Sequence, residues 1–338
     1  MPERVSREVQ LAAPVSELPR PEDFVIAEMP VPVPGDGEVL VRNRFLHVSA
    51  ALRTLIGGSV AGTPYPGLRP GDVLPGAAIA EVITAPDGGR VRAGDLVSHW
   101  SAWREYAVLA AADCVPLRDV LPDPVAHLAQ GPTAYGGLTR GVEVRPGDTV
   151  LVSGGAGSVG SLAGQIARLL GAGRVVGSTG SREKADRMVS DLGYDVAVIR
   201  GAESLAEQLA KAAPDGIDVL FDTVGGEDLR AAIAVARKGA RFVLVGALSG
   251  QLSEQGGGTT APVELDSFQI VVKRITMRGF SAGDDPEIAS EWIDRFAGWL
   301  ATGDITFPYV RVDGIERAPQ ALHDMMSGRY FGTVVVAL

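Results

Sequence analysis

Residues 150–170, VLVSGGAGSVGSLAGQIARLL, decide the fold of the chain. They begin with an apolar run typical of a buried strand, continue as a glycine-rich turn and end in a helical pattern. The turn has the spacing G-x-G-x-x-G at Gly155, Gly157 and Gly160. In this motif the first glycine allows the tight turn, the second lets the backbone approach phosphate, and the third lets helix and strand pack closely. The free N–H groups at the start of the helix would then bind a dinucleotide pyrophosphate.

From about residue 122 onward, apolar strands alternate with helical segments. The predicted strands are 149–154, 174–178, 196–200, 217–223, 240–246 and 275–281, and the predicted helices between them include 158–170, 181–192, 204–213 and 227–235. Six strands joined by helical crossovers are typical of an α/β fold with a doubly wound parallel sheet, the Rossmann fold.

The first part of the chain has short β-rich runs, such as residues 38–49 and 77–84, separated by turns rich in proline and glycine. This pattern predicts a compact, largely antiparallel β domain. The last residues return to β character, and we expect them to rejoin that domain. For a chain of 338 residues we therefore predict two domains, 1–121 together with 310–338, and 122–309.

The composition indicates a globular protein, with 46% hydrophobic and 21% charged residues. A net charge of −10 argues against general affinity for nucleic acid or for anionic membrane, because both attract basic surfaces. The single cysteine, Cys114, fits a reducing compartment. No apolar run reaches the roughly 18 residues of a membrane span, so we expect a cytoplasmic protein.

The end of the second strand of the parallel sheet selects between NADH and NADPH. An acidic residue there would bind the ribose 2′-hydroxyl and repel a 2′-phosphate. Residues 177–184, GSTGSREK, place no acid at the strand end and offer hydroxyls and cations instead. This composition favours NADPH, although Arg182 and Lys184 would also be ordinary as solvated helix charges. The residues predicted to bind the phosphate are Ser178, Thr179, Arg182, Lys184 and Arg200.

A catalytic zinc needs three protein ligands around an open position. The four histidines, His47, His99, His127 and His323, are scattered and have no ligand spacing with Cys114. We therefore expect a zinc-independent protein. The glycine-rich turn also lacks the central serine of G-x-S-x-G, which disfavours a hydrolase.

Several long segments resemble one known family. They include PEDFVIAEMPVPV at residues 21–33, GPTAYGGL at 131–138, the glycine-rich segment 152–169 and PDGIDVLFDTVGG at 214–226; segments 37–43, 175–184, 192–195 and 318–336 add to them. With these residues in order, nearly the whole chain resembles the zinc-independent medium-chain dehydrogenases/reductases, closest to the prostaglandin reductase (leukotriene B4 12-hydroxydehydrogenase) branch.

The resemblance implies a GroES-like β domain joined to a Rossmann domain, with NADPH in the cleft and a homodimer formed through the sheet edge. The usual reaction is hydride transfer to the β-carbon of an α,β-unsaturated carbonyl. It implies cofactor contacts at Thr133, Gly155, Gly157, Ser158, Val159, Gly160, Lys184, Val224, Ala247, Ser249, Phe280 and Tyr330.

The resemblance also implies which residues contact the substrate. The predicted substrate-binding residues are His47, Ser49, Leu52 and Tyr65, and the predicted catalytic hydrogen-bond donors are Tyr65 and Gln251, besides a ribose hydroxyl of the cofactor. The chain departs from the branch at several places. Ser49-Ala50 replaces its Asp-Pro, and Gln251 replaces a loop tyrosine. Arg200 and Tyr330 replace a tyrosine and an asparagine.

The leading hypothesis is an NADPH-dependent ene-reductase. One alternative is a quinone reductase, or a tailoring reductase of secondary metabolism with a large substrate, because Ser49, Ala50 and Ala51 are small and the glycine-rich residues 255–260 are predicted to form a flexible loop. An alternative of another class is a non-catalytic NADPH-binding sensor or partner module.

Overall fold

The computed structural model describes residues 5–58, 67–201, 203–253 and 260–338. Its strands are β1 (Val5–Leu11), β2 (Phe24–Pro30), β3 (Glu38–His47), β4 (Ala78–Thr84), β5 (Leu96–His99), β6 (Tyr106–Ala110), β7 (Val115–Pro116), β8 (Thr149–Val152), β9 (Arg174–Thr179), β10 (Val196–Ile199), β11 (Ile217–Asp222), β12 (Ala236–Leu244), β13 (Thr276–Gly279), β14 (Tyr309–Asp313) and β15 (Thr333–Ala337). Its α-helices are α1 (Leu52–Gly57), α2 (Gly131–Gly136), α3 (Gly160–Leu169), α4 (Arg182–Leu192), α5 (Leu205–Ala212), α6 (Gly226–Val235), α7 (Leu248–Gln251), α8 (Ser267–Lys273), α9 (Pro286–Thr302) and α10 (Ala318–Met326).

A six-stranded parallel sheet has the order β10-β9-β8-β11-β12-β13, which confirms the predicted Rossmann fold. Its central strand β8 is buried on both faces. Val150 and Val152 pack into one apolar cluster and Leu151 into another, so helices cover both sides of the sheet. The strand order reverses between β8 and β11, and ligands bind beyond the carboxyl ends of the strands at such a point.

The predicted boundaries differ from the observed ones at particular elements. Helix α3 begins at Gly160, two residues later than predicted, because the glycine-rich turn continues to Val159. Strand β12 begins at Ala236, earlier than predicted, because Ala236 pairs with Ile217 before a register shift.

A second sheet has the order β14-β15-β3-β4-β5-β7, with β6 also paired to β3. Most of its pairs are antiparallel, and β14 runs parallel to β15. The C-terminal strand β15 therefore lies beside β3 of the N-terminal segment. The division of the chain at residues 121 and 310 stays a prediction. No helix among the described residues combines the length and apolar character needed to cross a membrane.

Helix α9 packs against α2, which forms one wall of the cavity described below. Trp292 of α9 is 1% exposed and stacks on Phe296 with ring centroids 4.4 Å apart. Its indole lies directly over Gly131, where a Cβ atom would come within 1.9 Å of two ring carbons. Only glycine at residue 131 therefore lets the two helices approach this closely.

We predict that Gly131→Ala lowers the stability of the fold by about 1–3 kcal/mol, because the new methyl group overpacks the contact with Trp292. Gly298→Ala in α9, the helix that carries Trp292, is the matched control, since its Cβ meets nothing within 4 Å. It should stabilise the protein by about 0.5–1 kcal/mol, the usual gain from replacing a helical glycine. Thermal unfolding followed by circular dichroism measures both. Equal Tm values for the two variants would contradict the role given to Gly131.

Candidate active site

A cavity of about 610 Å³ lies between the parallel sheet and the second sheet, and its volume falls in the usual range of ligand-binding pockets. The carboxyl ends of β8, β9, β11 and β12 form one side of it, and the segments after β3 and around α10 form the other. Its lining includes the predicted residues His47, Ser49, Thr133, Gly157, Ser158, Val159, Gly160, Thr179, Lys184, Arg200, Gln251 and Tyr330.

The glycine-rich turn opens helix α3 toward this cavity. A Cβ at Gly160 would lie 2.3 Å from the carbonyl oxygen of Gly154, so glycine is required for the close packing of helix and strand, as predicted. Gly157 is exposed and lines the cavity, and a Cβ there would lie 3.3 Å from the carbonyl oxygen of Gly154. An anionic group can therefore approach the backbone N–H groups at the start of α3.

The reason for Gly155 differs from the predicted one. The residue of the turn with a positive φ, +61°, is Gly154, which was not singled out. Gly155 is buried, and a Cβ there would lie 2.3 Å from Cε of Met188 and 3.0 Å from the hydroxyl oxygen of Tyr194. It is therefore needed for packing beneath the turn and does not line the cavity.

The C-terminal segment closes over the same turn. The N–H of Gly332 donates to the carbonyl of Ala156 at 2.9 Å, and the hydroxyls of Ser158 and Thr333 lie 2.7 Å apart. Gly332 has φ +81°, and a Cβ there would lie 2.2 Å from the carbonyl oxygen of Pro308. The residues in these contacts lie far apart in the chain. Apart from the family resemblance of residues 318–336, nothing in the sequence predicted that they would meet.

Two cations lie at the end of the cavity nearest β9 and β10. Lys184 donates to the carbonyl of Gly328, and burial lowers the pKa of its ammonium group. Arg200 Nη1 donates to Ser178 Oγ at 3.2 Å and lies 3.5 Å from Oδ1 of Asp228. Arg182 is exposed and lies outside the cavity lining.

Asp228, which sequence reasoning missed, lies beneath this cationic end. Its residue is 2% exposed, and its carboxylate also accepts a hydrogen bond from Ser178. Burial raises the pKa of this carboxyl group, while the nearby Arg200 lowers it. Since Asp228 comes from α6, far along the chain from β9, no motif indicated that it would hold Arg200 in place.

The other end of the cavity is more apolar. Val48, Ala50, Ala51, Leu252 and Val334 line it together with Met325 and Met326 of α10. The polar side chains of His47, Ser49 and Gln251 lie near it in the lining. Gln251 donates to Thr54 Oγ1 at 3.1 Å, and burial lowers the pKa of His47 to about 4. His47 is therefore a neutral imidazole at pH 7.

The remaining predicted residues do not line the cavity. Leu52 belongs to the core beneath α1, and Phe280 packs over Gly136 and Gly141. Ser178 and Val224 are buried outside the lining, Ala247 and Ser249 also lie outside it, and Tyr65 lies outside the described residues. The N–H of Ser249 donates to the carbonyl of Val224 at 2.9 Å, so these two shape the loops after β11 and β12.

The described residues do not fit a zinc site. No three His, Cys, Asp or Glu side chains in this part of the chain are grouped as metal ligands would be. Both ring nitrogens of His99 are used internally, by Asn43 at 2.8 Å and by the N–H of Ser101 at 3.0 Å. His127 and His323 contact the backbone carbonyls of Arg118 and Pro19.

Comparisons with known proteins agree with this architecture. Residues 7–117 match a family model described as the N-terminal domain of oxidoreductase, and residues 158–298 match one described as zinc-binding dehydrogenase. Despite the second description, the described residues supply no zinc ligands.

Relatives match along nearly their whole length. The NADPH-dependent curcumin reductase of Escherichia coli (strain K12) is 32% identical, covering 96% of this chain and 95% of its own. The 2-alkenal reductase (NADP(+)-dependent) of Nicotiana tabacum is 30% identical, covering 99% and 98%. The crystal structure of CurA from Vibrio vulnificus in complex with NADPH is 31% identical with a TM-score of 0.87, covering 98% of each chain.

Full-length identity at this level, two family models in the expected order and a solved structure with a TM-score of 0.87 confirm the resemblance seen in the sequence. The chain belongs to the medium-chain dehydrogenase/reductase family.

Proposed function

We propose that the protein reduces the C=C bond of α,β-unsaturated carbonyl compounds with NADPH. The observation that carries this proposal is one continuous cavity with a cationic end at Lys184 and Arg200, a glycine-rich turn in its middle and an apolar end near His47 and Gln251. The names of two relatives, the NADPH-dependent curcumin reductase and the 2-alkenal reductase (NADP(+)-dependent), support it.

The cationic end and the turn fit NADPH. Backbone N–H groups at the start of α3 would hold the pyrophosphate, and Lys184 and Arg200 would hold the 2′-phosphate. Among the described residues, no acidic side chain lines this end to repel that phosphate. When bound, NADPH supplies the hydride for the reaction.

The apolar end would hold the unsaturated substrate and exclude water from it. As a C=C bond conjugated to a carbonyl accepts hydride, negative charge develops on the carbonyl oxygen, and a hydrogen-bond donor at that oxygen stabilises the charge. Gln251 is positioned in the lining for such contact, and Tyr65 remains a proposed donor. The α-carbon proton can come from water, so no dedicated acid is required.

The small side chains of Ser49, Ala50 and Ala51, together with two methionines, favour a bulky substrate. Methionine is unbranched and adapts to irregular ligand shapes. The wide apolar end therefore supports large conjugated enones over short enals, and it keeps a quinone or a large secondary metabolite as the second candidate.

We predict that purified protein oxidises NADPH in the presence of enones, with higher kcat/KM for bulky aryl enones than for short alkenals. Absorbance at 340 nm with a panel of enals, enones and quinones measures this. Product analysis separates C=C reduction from carbonyl reduction. Turnover of quinones alone would favour the quinone reductase, and tight NADPH binding without any turnover would favour a non-catalytic binding module.

We predict that Lys184→Ala and Arg200→Ala each raise the Kd for NADPH by about 10- to 100-fold, because each removes a charge-assisted contact of about 1.5–3 kcal/mol. The Kd for NADH should change little. Arg182→Ala is the matched control on the same helix as Lys184, and it should leave both Kd values near those of the wild type. Fluorescence titration of each cofactor measures these values. An equal loss of NADH binding would show that the two cations do not select the 2′-phosphate.

We further propose a cytoplasmic homodimer formed through the edge of the parallel sheet. Strand β13 lies at that edge, and among the described residues it pairs only with β12. The neighbouring helix α8 exposes Phe268 at 70%, Val271 at 72% and Val272 at 51%. An unpaired strand edge beside exposed apolar side chains is typical of an interface between two copies. The buried free thiol of Cys114 suits a reducing cytoplasm.

We predict that the wild type elutes from size-exclusion chromatography with light scattering as a dimer of a 35.2 kDa chain. The double variant Phe268→Lys, Val271→Lys should elute as a monomer, because the introduced charges would be desolvated in the interface. Val33→Lys, at an 87% exposed position on the N-terminal part, is the control and should leave the mass unchanged. A charged α8 variant that keeps the wild-type mass would place the interface elsewhere.

A further inference from the structure

His47 is the last residue of β3, and its backbone is held on both sides. It pairs with Val335 of β15, and its N–H donates to the carbonyl of Ala77 at 3.0 Å. The side chain is 5% exposed and lines the apolar end of the cavity. Its position is therefore fixed by two neighbouring strands and not by a loop.

The neighbouring Gln130 fixes which ring nitrogen of His47 carries the proton. The amide Nε2 of Gln130 lies 3.4 Å from Nδ1 of His47 and 3.1 Å from the carbonyl oxygen of Leu128. Only the NH₂ group of an amide donates to a carbonyl, so the contact with Leu128 sets the orientation of the Gln130 side chain. Nδ1 of His47 then accepts a long hydrogen bond, and in the neutral ring the proton lies on Nε2.

His99 provides an internal comparison. Burial lowers the pKa of both His47 and His99 to about 4, so both rings are neutral at pH 7. Both nitrogens of His99 have partners within the β domain, and His99 lies outside the cavity lining. Nε2 of His47 has no hydrogen-bond acceptor among the described residues, and it is not one of their fully enclosed unpaired side-chain atoms. Its N–H is therefore available to a ligand in the cavity.

We propose that the Nε2–H group of His47 donates a hydrogen bond to the carbonyl oxygen of the unsaturated substrate and stabilises the negative charge that develops there during reduction. The role rests on the proposed ene-reductase function and adds a catalytic residue to it. A neutral, rigidly held donor suits this task, because it needs no reorganisation as the charge develops. The geometry also assigns Gln130 as the positioning residue that selects the proton-bearing nitrogen.

The test compares His47→Leu, which removes the donor, with His47→Gln, whose amide nitrogen lies as many bonds from the backbone as Nε2. His47→Leu should lower kcat/KM for an aryl enone by about 100-fold, the usual effect of removing one such donor. The Kd for NADPH should stay unchanged, which shows that the variant is folded. His47→Gln should recover most of the lost activity. His99→Leu is the matched control, with a lower Tm and an unchanged kcat/KM.

The outcomes separate the role of His47 from the proposed function. Active wild type with an equally active His47→Leu would overturn the role of His47 alone, and so would a folded His47→Gln as inactive as His47→Leu. A wild type that binds NADPH and reduces no enone would overturn the proposed function and this role with it.

Discussion

A Cβ atom on Gly160 would lie 2.3 Å from the carbonyl oxygen of Gly154 and 2.7 Å from Cα of Gly155. Its absence lets α3 start directly beside the end of β8, next to the cavity that residues 157–160 line. The hydroxyl of Tyr194 secures this approach by donating to the carbonyl of Gly160 at 2.7 Å. The Tyr194 side chain also packs against three other glycines, Gly155, Gly164 and Gly177. A Cβ atom at any of them would lie 3.0 Å or less from an atom of Tyr194. One buried tyrosine thus explains several glycines that the dinucleotide motif alone does not.

The glycine-rich turn also connects the two sheets. Because Gly332 bonds to Ala156, and Thr333 contacts Ser158, the strand β15 begins where the turn ends. Strand β15 continues beside β3, whose last residue is His47. A chain of backbone hydrogen bonds therefore runs from the proposed pyrophosphate site to the proposed substrate donor. This chain of backbone contacts holds the two ends of the cavity at a defined distance from each other.

The sequence predicted the parallel sheet and the glycine-rich turn because both depend on local patterns of strands, helices and glycines. It also indicated that Lys184 and Arg200 would lie near each other, since they follow strands whose carboxyl ends meet at one edge, and both line the cavity. Their role in binding phosphate stays a prediction. It did not predict Asp228, the Gly332 contact or the available N–H of His47. These depend on residues that are far apart in the chain, and no periodicity encodes such distances. The motif predicted that Gly155 makes the tight turn, but in the structure the residue with a positive φ is its neighbour Gly154.

The cationic end shows how a chain with a net charge of −10 can hold a polyanionic cofactor. Arg200 is only partly exposed, and the carboxylate of Asp228 lies beneath it, 3.5 Å from Nη1. A buried acid so close to the proposed phosphate would weaken binding if it faced the cavity. Asp228 instead accepts the Ser178 hydroxyl and lies behind Arg200, and burial raises the pKa of its carboxyl group. Asp228 thus orients the guanidinium group of Arg200. Arg200 itself lines the cavity, so the charge that a ligand would meet there is positive.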